Sequence, residues 1–202
     1  MNASDIRTYL DEGARIRNSL DIEKIYYLGH ELSRTFKNGD KLIIFGNGGS
    51  AADAQHIAAE FVGRFEKERK PLPAMILHGN SSSLTAIGND YSYDHVFSRQ
   101  IEAFAKKGDL IIALSTSGSS INVVEAILKG KELGCNIFGI TGRKGGKMKD
   151  IVLFSALLKM NNSELIFNPG EHTFPGRFPS SSEFFSGFRR VPAGTLHQPF
   201  RG

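Results

Sequence analysis

Cysteine is almost absent from this chain. Cys135 is the only one in 202 residues, so no disulfide can form within the chain, and a reducing compartment fits. The chain also lacks an apolar run of membrane-spanning length and a charged-then-apolar leader at its N-terminus. No lysine- or arginine-rich block accompanies the mild net charge of +4, which favours small anions over nucleic acid as partners. These absences predict a cytoplasmic protein that binds neither membrane nor nucleic acid.

The composition that remains is that of an ordinary globular domain. With 40% hydrophobic and 23% charged residues, 202 residues suffice for one α/β domain with a substantial core. Apolar residues recur at helical spacing in two segments of residues 4–37, which a turn signal at Asn38-Gly39-Asp40 ends. A helical pair that precedes the first strand cannot be a crossover. It is expected to cover a sheet face or to pack against another subunit.

From residue 41 onward, strand-length apolar runs alternate with helical segments. The predicted strands are 41–45, 73–77, 109–114 and 136–141, and the predicted helices are 51–65, 81–87 (closed by Gly88-Asn89-Asp90), 96–105 and 120–133. Each strand is apolar on both faces, which is typical of a parallel sheet covered on both sides. The pattern therefore predicts an α/β fold.

The first candidate site is Gly46-Asn47-Gly48-Gly49-Ser50, hereafter the glycine loop (residues 46–50), between a strand and a helix. Glycines let the backbone approach a ligand, and the free N–H groups of a helix N-terminus favour an anion. The spacing matches neither a dinucleotide fingerprint nor a P-loop. His56 and Glu60 lie one turn apart on the following helix and share a face. A plain turn, a helix-capping or partly buried histidine and a solvated glutamate remain open readings of these residues taken singly.

The second candidate site is Ser115-Thr116-Ser117-Gly118-Ser119-Ser120, hereafter the serine loop (residues 115–120). It also joins a strand to a helix, and ligands of open parallel sheets bind at the carboxyl ends of strands. The hydroxyls and the helix N-terminus together offer donors to a phosphate. A serine-rich connector with an N-cap serine is the alternative. Two such loops at equivalent strand ends favour a site for a small phosphorylated molecule.

These residues resemble a known family through a set of short motifs. The motifs are Gly46-Asn47-Gly48-Gly49-Ser50, Asp53-Ala54-Gln55-His56, Glu60 with Gly63-Arg64, Gly88-Asn89-Asp90, Phe97-Ser98-Arg99, residues 115–120, Thr141-Gly142 and Gly145-Gly146-Lys147-Met148. Residues 41–150 resemble the sugar isomerase (SIS) domain, and within it the phosphoheptose isomerases. The N-terminal helices fit as well, which places the domain at residues 1–150. The resemblance implies a three-layer αβα sandwich with a doubly wound parallel sheet, a homotetramer, and active sites at subunit interfaces.

The resemblance also implies an activity and a set of site residues. The activity is aldose–ketose isomerisation of sedoheptulose 7-phosphate to D-glycero-D-manno-heptose 7-phosphate, a lipopolysaccharide precursor. Glu60 is implied as the proton-transfer residue, and His56 and Glu60 as zinc ligands in members that bind metal. The implied substrate-binding residues are Asn47, Gly48, Ser50, Arg64, Asn89, Asp90, Ser115, Thr116, Ser117 and Ser120. Ser119 stands where the family often has asparagine, and a serine there still fits.

The resemblance stops near Ile151. The family continues with a helix that supplies a second catalytic group and further metal ligands, whereas residues 151–202 hold 8 of the 15 phenylalanines and 5 of the 7 prolines. We interpret this segment as divergent and irregular, the product of a changed reading frame or a replaced C-terminus. A genuine interaction tail is the alternative. His172 and His197 lie in no matching motif and receive no role.

Three functions are compatible with these observations. The first is the heptose phosphate isomerase, with activity impaired by the atypical C-terminus. The second is a non-catalytic SIS module that binds a sugar phosphate or associates with a replication initiator. The third is an SIS enzyme for an amino sugar phosphate. The presence of both His56 and Glu60 favours an enzyme, and the loss of the last helix favours a binding protein.

Overall fold

The computed structural model of the protein describes residues 2–18, 20–142, 145–152 and 154–157. These residues form six α-helices and five strands, in the order α1 (Ala3–Asn18), α2 (Ile22–Lys37), β1 (Leu42–Gly46), α3 (Gly49–Val62), β2 (Ala74–Ile76), α4 (Ser81–Asp90), α5 (Ser98–Phe104), β3 (Leu110–Ser115), α6 (Ile121–Glu132), β4 (Asn136–Thr141) and β5 (Phe154–Leu157). Two 3-10 turns lie at Tyr93–His95 and Gly146–Asp150. None of the helices in these ranges is both long and apolar enough to cross a bilayer.

The strands form one parallel sheet in the order β2-β1-β3-β4-β5. The chain leaves β1 towards one edge of the sheet and returns to β3 on the other side of β1, so the strand order reverses between these two central strands. In open α/β sheets the crevice at such a reversal is the place where ligands bind. The carboxyl ends of β1 and β3 are therefore where this fold positions a site.

Apolar cores on both faces of the sheet make the three-layer sandwich. On one face, buried residues such as Ile43 and Ile111 pack with Ile101 of α5 and Ile127 of α6. On the other face, strand residues pack with α3 and with Leu28, Leu32 and Phe36 of α2. The predicted α/β sandwich with its N-terminal helical pair is confirmed. Strands buried on both faces explain why the apolar runs were continuous rather than alternating.

The two N-terminal helices have different environments. The side chain of Asp21 caps α2 by accepting a hydrogen bond from the backbone N of Lys24 at 3.3 Å, and α2 then covers part of the sheet. On α1, Ile6 and Leu10 remain 51% and 57% exposed. The expectation of a sheet-covering helix therefore holds for α2, whereas the apolar stripe of α1 faces outward.

A buried carboxylate joins the amino ends of β1 and β3. Asp109 is fully buried and accepts hydrogen bonds from the backbone N of Lys41 at 3.0 Å and of Lys106 at 2.8 Å, and it also pairs with the Lys41 ammonium. Cys135 lies nearby, and burial, followed by the charge of Asp109, raises its thiol pKa to about 11. The thiol is thus protonated, and its S–H donates to the carbonyl of Lys106. This end of the sheet is structural and lies opposite the two loops.

Two boundaries differ from those predicted. Helix α4 continues through Gly88-Asn89-Asp90 and ends at the cap residue Tyr91. A single glycine near a helix end is tolerated, and Gly88 has no backbone clash to force a turn. At the other end, β5 extends the sheet to Leu157, beyond the boundary expected at residue 150. The rest of the segment interpreted as an irregular tail, residues 158–202, lies outside the described residues.

Candidate active site

The glycine loop and the serine loop meet at the reversal point of the sheet. Gly46, at the end of β1, is in register with Leu114 of β3, one residue before the serine loop begins. Beside them is a cavity of about 330 Å³ lined by Ser50, Asp53, His56, Ile57, Leu114, Ser115, Thr116, Ile140, Thr141 and Gly142.

 This cavity lies between α3 and the ends of β3 and β4. The structure therefore brings one residue of the glycine loop, two of the serine loop and His56 to a single cavity.

Local sterics fix the shape of the glycine loop. A Cβ on Gly46 would lie 2.7 Å from Cβ of Ser50 and 2.8 Å from the carbonyl oxygen of Leu114, so only glycine fits there. Gly48 has φ of 55°, a left-handed conformation that also favours glycine, and it precedes the first residue of α3. At this helix N-terminus the backbone N of Ser50 donates to the carbonyl of Asn47 at 3.0 Å, and that of Ala51 donates to the carbonyl of Gly48 at 3.0 Å. The anion-binding role predicted for this loop therefore rests on the helix dipole rather than on unbonded N–H groups of these two residues.

The hydroxyls of the serine loop converge. Ser115 Oγ lies 3.0 Å from Ser120 Oγ and 3.5 Å from Ser117 Oγ, and Ser117 Oγ accepts a hydrogen bond from the backbone N of Ser119 at 3.2 Å. The second 3-10 turn braces the loop, because the backbone N of Met148 donates to the carbonyl of Gly118 at 2.9 Å. The loop is thus preformed, with several hydroxyls grouped at the N-terminus of α6.

A pair of asparagines links the two loops. Asn47 Nδ2 donates to Asn122 Oδ1 at 2.9 Å, and Asn122 Nδ2 donates to Asn47 Oδ1 at 2.9 Å. The hydroxyl of Tyr93 also donates to Asn47 Oδ1, at 3.4 Å. Asn122 was not predictable as a site residue, because nothing local in α6 indicates a partner 75 positions earlier.

Three polar residues of α3, Asp53, His56 and Glu60, form a row at the cavity, hereafter the polar row of α3. His56 Nε2 lies 3.8 Å from Glu60 Oε1, and their side chains are 78% and 34% exposed. Asp53, one turn before His56, lines the cavity, whereas Glu60 lies one turn beyond it. Asp53 was noted only within a motif, although its spacing from His56 places both on one helix face.

His78 supports the start of α3 from the loop that follows β2. Its Nε2 lies 2.9 Å from the carbonyl oxygen of Ala51, while its Nδ1 is buried without a partner in the described residues. Burial lowers the pKa of His78, and the hydrogen bond with Ala51 acts in the opposite direction. The neutral imidazole with its proton on Nε2 therefore matches this arrangement, since a carbonyl requires a donor.

Three residues implied by the resemblance lie neither in the two loops nor among the polar residues of α3 beside the cavity. Arg64 is exposed beyond the end of α3 and pairs with Glu68, with Nε and Oε2 3.4 Å apart. Asn89 and Asp90 are exposed in the last turn of α4, where Asn89 Nδ2 donates to Asp90 Oδ1 at 2.9 Å. The chain thus brings together the two loops and the polar row of α3, whereas these three side chains lie on other segments.

Comparisons with known proteins agree with this geometry. A family model described as the SIS domain matches residues 8–142. A protein of Thermoplasma acidophilum named "Probable phosphoheptose isomerase" is 56% identical over 147 residues, which cover 73% of this chain and 81% of that protein. The chain belongs to the phosphoheptose isomerase family. The predicted membership of this isomerase family is thereby confirmed.

Solved structures of the phosphoheptose isomerase family show the same fold. The Neisseria gonorrhoeae phosphoheptose isomerase superposes with a TM-score of 0.69 at 33% identity, covering 92% of this chain and 91% of that one. The Francisella tularensis phosphoheptose isomerase superposes with a TM-score of 0.71 at 28% identity, covering 81% and 85%. The αβα architecture of this chain is therefore the architecture of its family.

The described residues do not supply a full zinc site. His56 and Glu60 offer two ligands, and no group of three histidine, cysteine, aspartate or glutamate side chains converges within the part of the chain that the structure describes. A catalytic zinc ion generally takes three protein ligands. The donors found among the described residues thus do not fit this metal.

Proposed function

We propose that this protein is an aldose–ketose isomerase that converts sedoheptulose 7-phosphate to D-glycero-D-manno-heptose 7-phosphate. The observation that carries this proposal is the cavity between the serine loop and the polar row of α3. A phosphate held at one end would leave the rest of a sugar to extend along α3. Family membership supports the same reaction.

The phosphate would bind in the serine loop through Ser115, Thr116, Ser117 and Ser120. Binding energy from this remote group would hold the reacting carbons in place. Ser50, Gly48 and Asn47 would contact the sugar, because they line or border the other side of the cavity.

The reaction moves a proton between neighbouring carbons through an enediol, which needs a positioned base and acid. We assign proton transfer to Glu60, whose half-buried carboxylate lies on the same face of α3 as His56. In a heptose 7-phosphate the reacting carbons lie at the end of the chain opposite the phosphate. A carboxylate one turn beyond the cavity therefore suits a long substrate.

The direct test is a coupled isomerase assay on sedoheptulose 7-phosphate, with and without added zinc. Turnover is the expected result. Stimulation by zinc would indicate that residues beyond His56 and Glu60 complete a metal site. Tight sugar phosphate binding without turnover under either condition would instead support a non-catalytic SIS module. Turnover of an amino sugar phosphate alone would support an SIS enzyme for amino sugar phosphates. The named relatives give no support to a replication-initiator adaptor.

We further propose a homotetramer in which α1 forms part of an interface. Ile6 and Leu10 of α1, together with Ile22 and Ile25 at the start of α2, are large apolar side chains that are at least half exposed. Burying such a stripe against another subunit would contribute about 25 cal/mol per Å². Neighbouring subunits would also be the source from which Arg64, Asn89 and Asp90 reach a site.

Leu10→Glu should dissociate this oligomer, since a charge would be buried in an apolar interface. Thr8→Glu is the matched control, because it adds the same charge to the other side of α1. Light scattering at micromolar concentration should show a tetramer for the unmodified protein and for Thr8→Glu, and smaller species for Leu10→Glu. A monomer in all three samples would contradict the proposal.

A further inference from the structure

The asparagine pair at the loops has a geometry suited to positioning rather than to binding. Asn122 is only 4% exposed, and both polar atoms of its amide are bonded to Asn47. A ligand in the cavity would therefore meet little of Asn122. Asn47 is half-buried, and its Oδ1 accepts from both Asn122 and Tyr93. Its Nδ2 has two hydrogens, of which one donates to Asn122 Oδ1, so the other N–H remains for a ligand.

The glycine loop needs such support, because little else packs against its tip. A Cβ added to Gly48 or to Gly49 would meet nothing within 4 Å. Glycines in open space leave the backbone many conformations. The two amide hydrogen bonds tie this loop to the first turn of α6, directly behind the serine loop.

We infer that Asn122 is a positioning residue, which holds the glycine loop at a fixed place relative to the serine loop through the side chain of Asn47. The pair thereby sets the spacing between the phosphate end of the site and the sugar end. It also orients the Asn47 amide so that its remaining N–H can donate to an oxygen of the substrate. The consequence for substrate rests on the proposed function, whereas the effect on the loop does not.

Hydrogen exchange tests the effect on the loop without any ligand. Asn122→Leu removes both hydrogen bonds at similar volume and should accelerate amide exchange of residues 47–52 about 10-fold or more. Gln100→Leu is the matched control, because Gln100 is an equally buried amide (5% exposed) that donates to the carbonyl of Val96, away from both loops. Equal exchange rates for residues 47–52 in the two variants would overturn the inference.

Calorimetry tests the consequence for substrate. Asn122→Leu should lower the affinity for sedoheptulose 7-phosphate about 10- to 100-fold, because a misplaced glycine loop contacts the sugar end of the substrate less well. The affinity for inorganic phosphate, which needs only the serine loop, should change by less than about threefold. The double variant, Asn122→Leu with Asn47→Ala, should lose no more affinity than the weaker-binding of the two single variants, since each substitution removes the same pair of hydrogen bonds.

A conservative variant separates positioning from general damage. Asn122→Asp keeps an acceptor for Asn47 Nδ2, and a carboxylate at a helix N-terminus is favoured by the helix dipole. It should recover part of the exchange protection of residues 47–52, whereas its negative charge beside the serine loop would oppose a phosphate and makes ligand affinity an unsuitable readout for this variant. Equal weakening of both ligands by Asn122→Leu, with no recovery of exchange protection in Asn122→Asp, would refute positioning. If the unmodified protein bound no heptose phosphate, the proposed function would fail, and the exchange rates would still decide the role of Asn122.

Discussion

Ser117→Asp should reduce the affinity for sugar phosphates by about 10²–10³-fold. Two unit charges 4 Å apart interact with about 4 kcal/mol at the effective dielectric constant of a protein surface, and like charges oppose binding by this order. Ser117 is exposed, so water and salt will screen part of the repulsion. Calorimetry at low ionic strength, with inorganic phosphate and with sedoheptulose 7-phosphate, is the appropriate measurement.

Ser117→Asn provides the control for this charge. Either side chain has an oxygen that can accept from the backbone N of Ser119, as Ser117 Oγ does at 3.2 Å, so the loop should keep its shape. The asparagine variant should bind within about fivefold of the unmodified protein, since it adds no charge. If the two variants bind phosphate equally well, the serine loop is not the phosphate site.

The fold was largely predictable because its strands are buried on both faces. Residues 42–45 and 110–114 are each continuous apolar runs next to glycine or aspartate, and the structure has them as central strands. Boundaries were less predictable where local signals compete with packing. Gly88 resembles a helix stop, yet α4 continues to Asp90 because the helix still packs against the core through Ile87. The strand β5 follows the 3-10 turn that braces the serine loop, which no local pattern at residue 150 indicated.

The site was predictable where it depends on residues that are close together in the sequence. The glycine and serine loops each combine a strand end, small residues and a helix start, and both lie at the reversal point of the sheet. The contacts between the loops were not predictable, because Asn47 and Asn122 are distant in sequence and each is an ordinary residue in its own segment. Asp53 was likewise missed as a cavity residue, since only the fold shows which face of α3 borders β3 and β4.

Glu60→Gln should lower the isomerisation rate by about 10²–10⁴-fold, the usual contribution of a positioned acid or base. Glutamine keeps the size of the side chain but cannot take a proton. The pair with His56 is an exposed contact of 3.8 Å within one helix, so its loss should cost only about 0.3–0.5 kcal/mol of stability. Phosphate binding in the serine loop should be unchanged, which calorimetry would verify.

We expect the unmodified chain to be a weak enzyme, because its resemblance to the family was traced only to Ile151, and the Thermoplasma acidophilum relative aligns over 147 residues, 73% of this chain. A chimera with the C-terminal segment of the Thermoplasma acidophilum relative in place of residues 151–202 should raise turnover. Glu60→Gln in that chimera should remove the gain. Coupled assays of the four proteins, with and without Glu60→Gln in each background, measure both effects together.

Asp53→Asn decides between the two carboxylates of α3. Asp53 lines the cavity and Glu60 lies beyond it, so either could reach a sugar held by the serine loop, depending on how far the substrate extends. A short sugar would place its reacting carbons near Asp53, whereas a heptose places them one to two turns further along the helix, where a turn advances about 5.4 Å. With a heptose phosphate, Glu60→Gln should therefore be the more damaging change, and Asp53→Asn should cost less than about tenfold. A reversed order would assign proton transfer to Asp53.

A chimera that stays inactive with or without Glu60→Gln, while it binds sugar phosphates tightly, would show that the protein is a sugar phosphate-binding module.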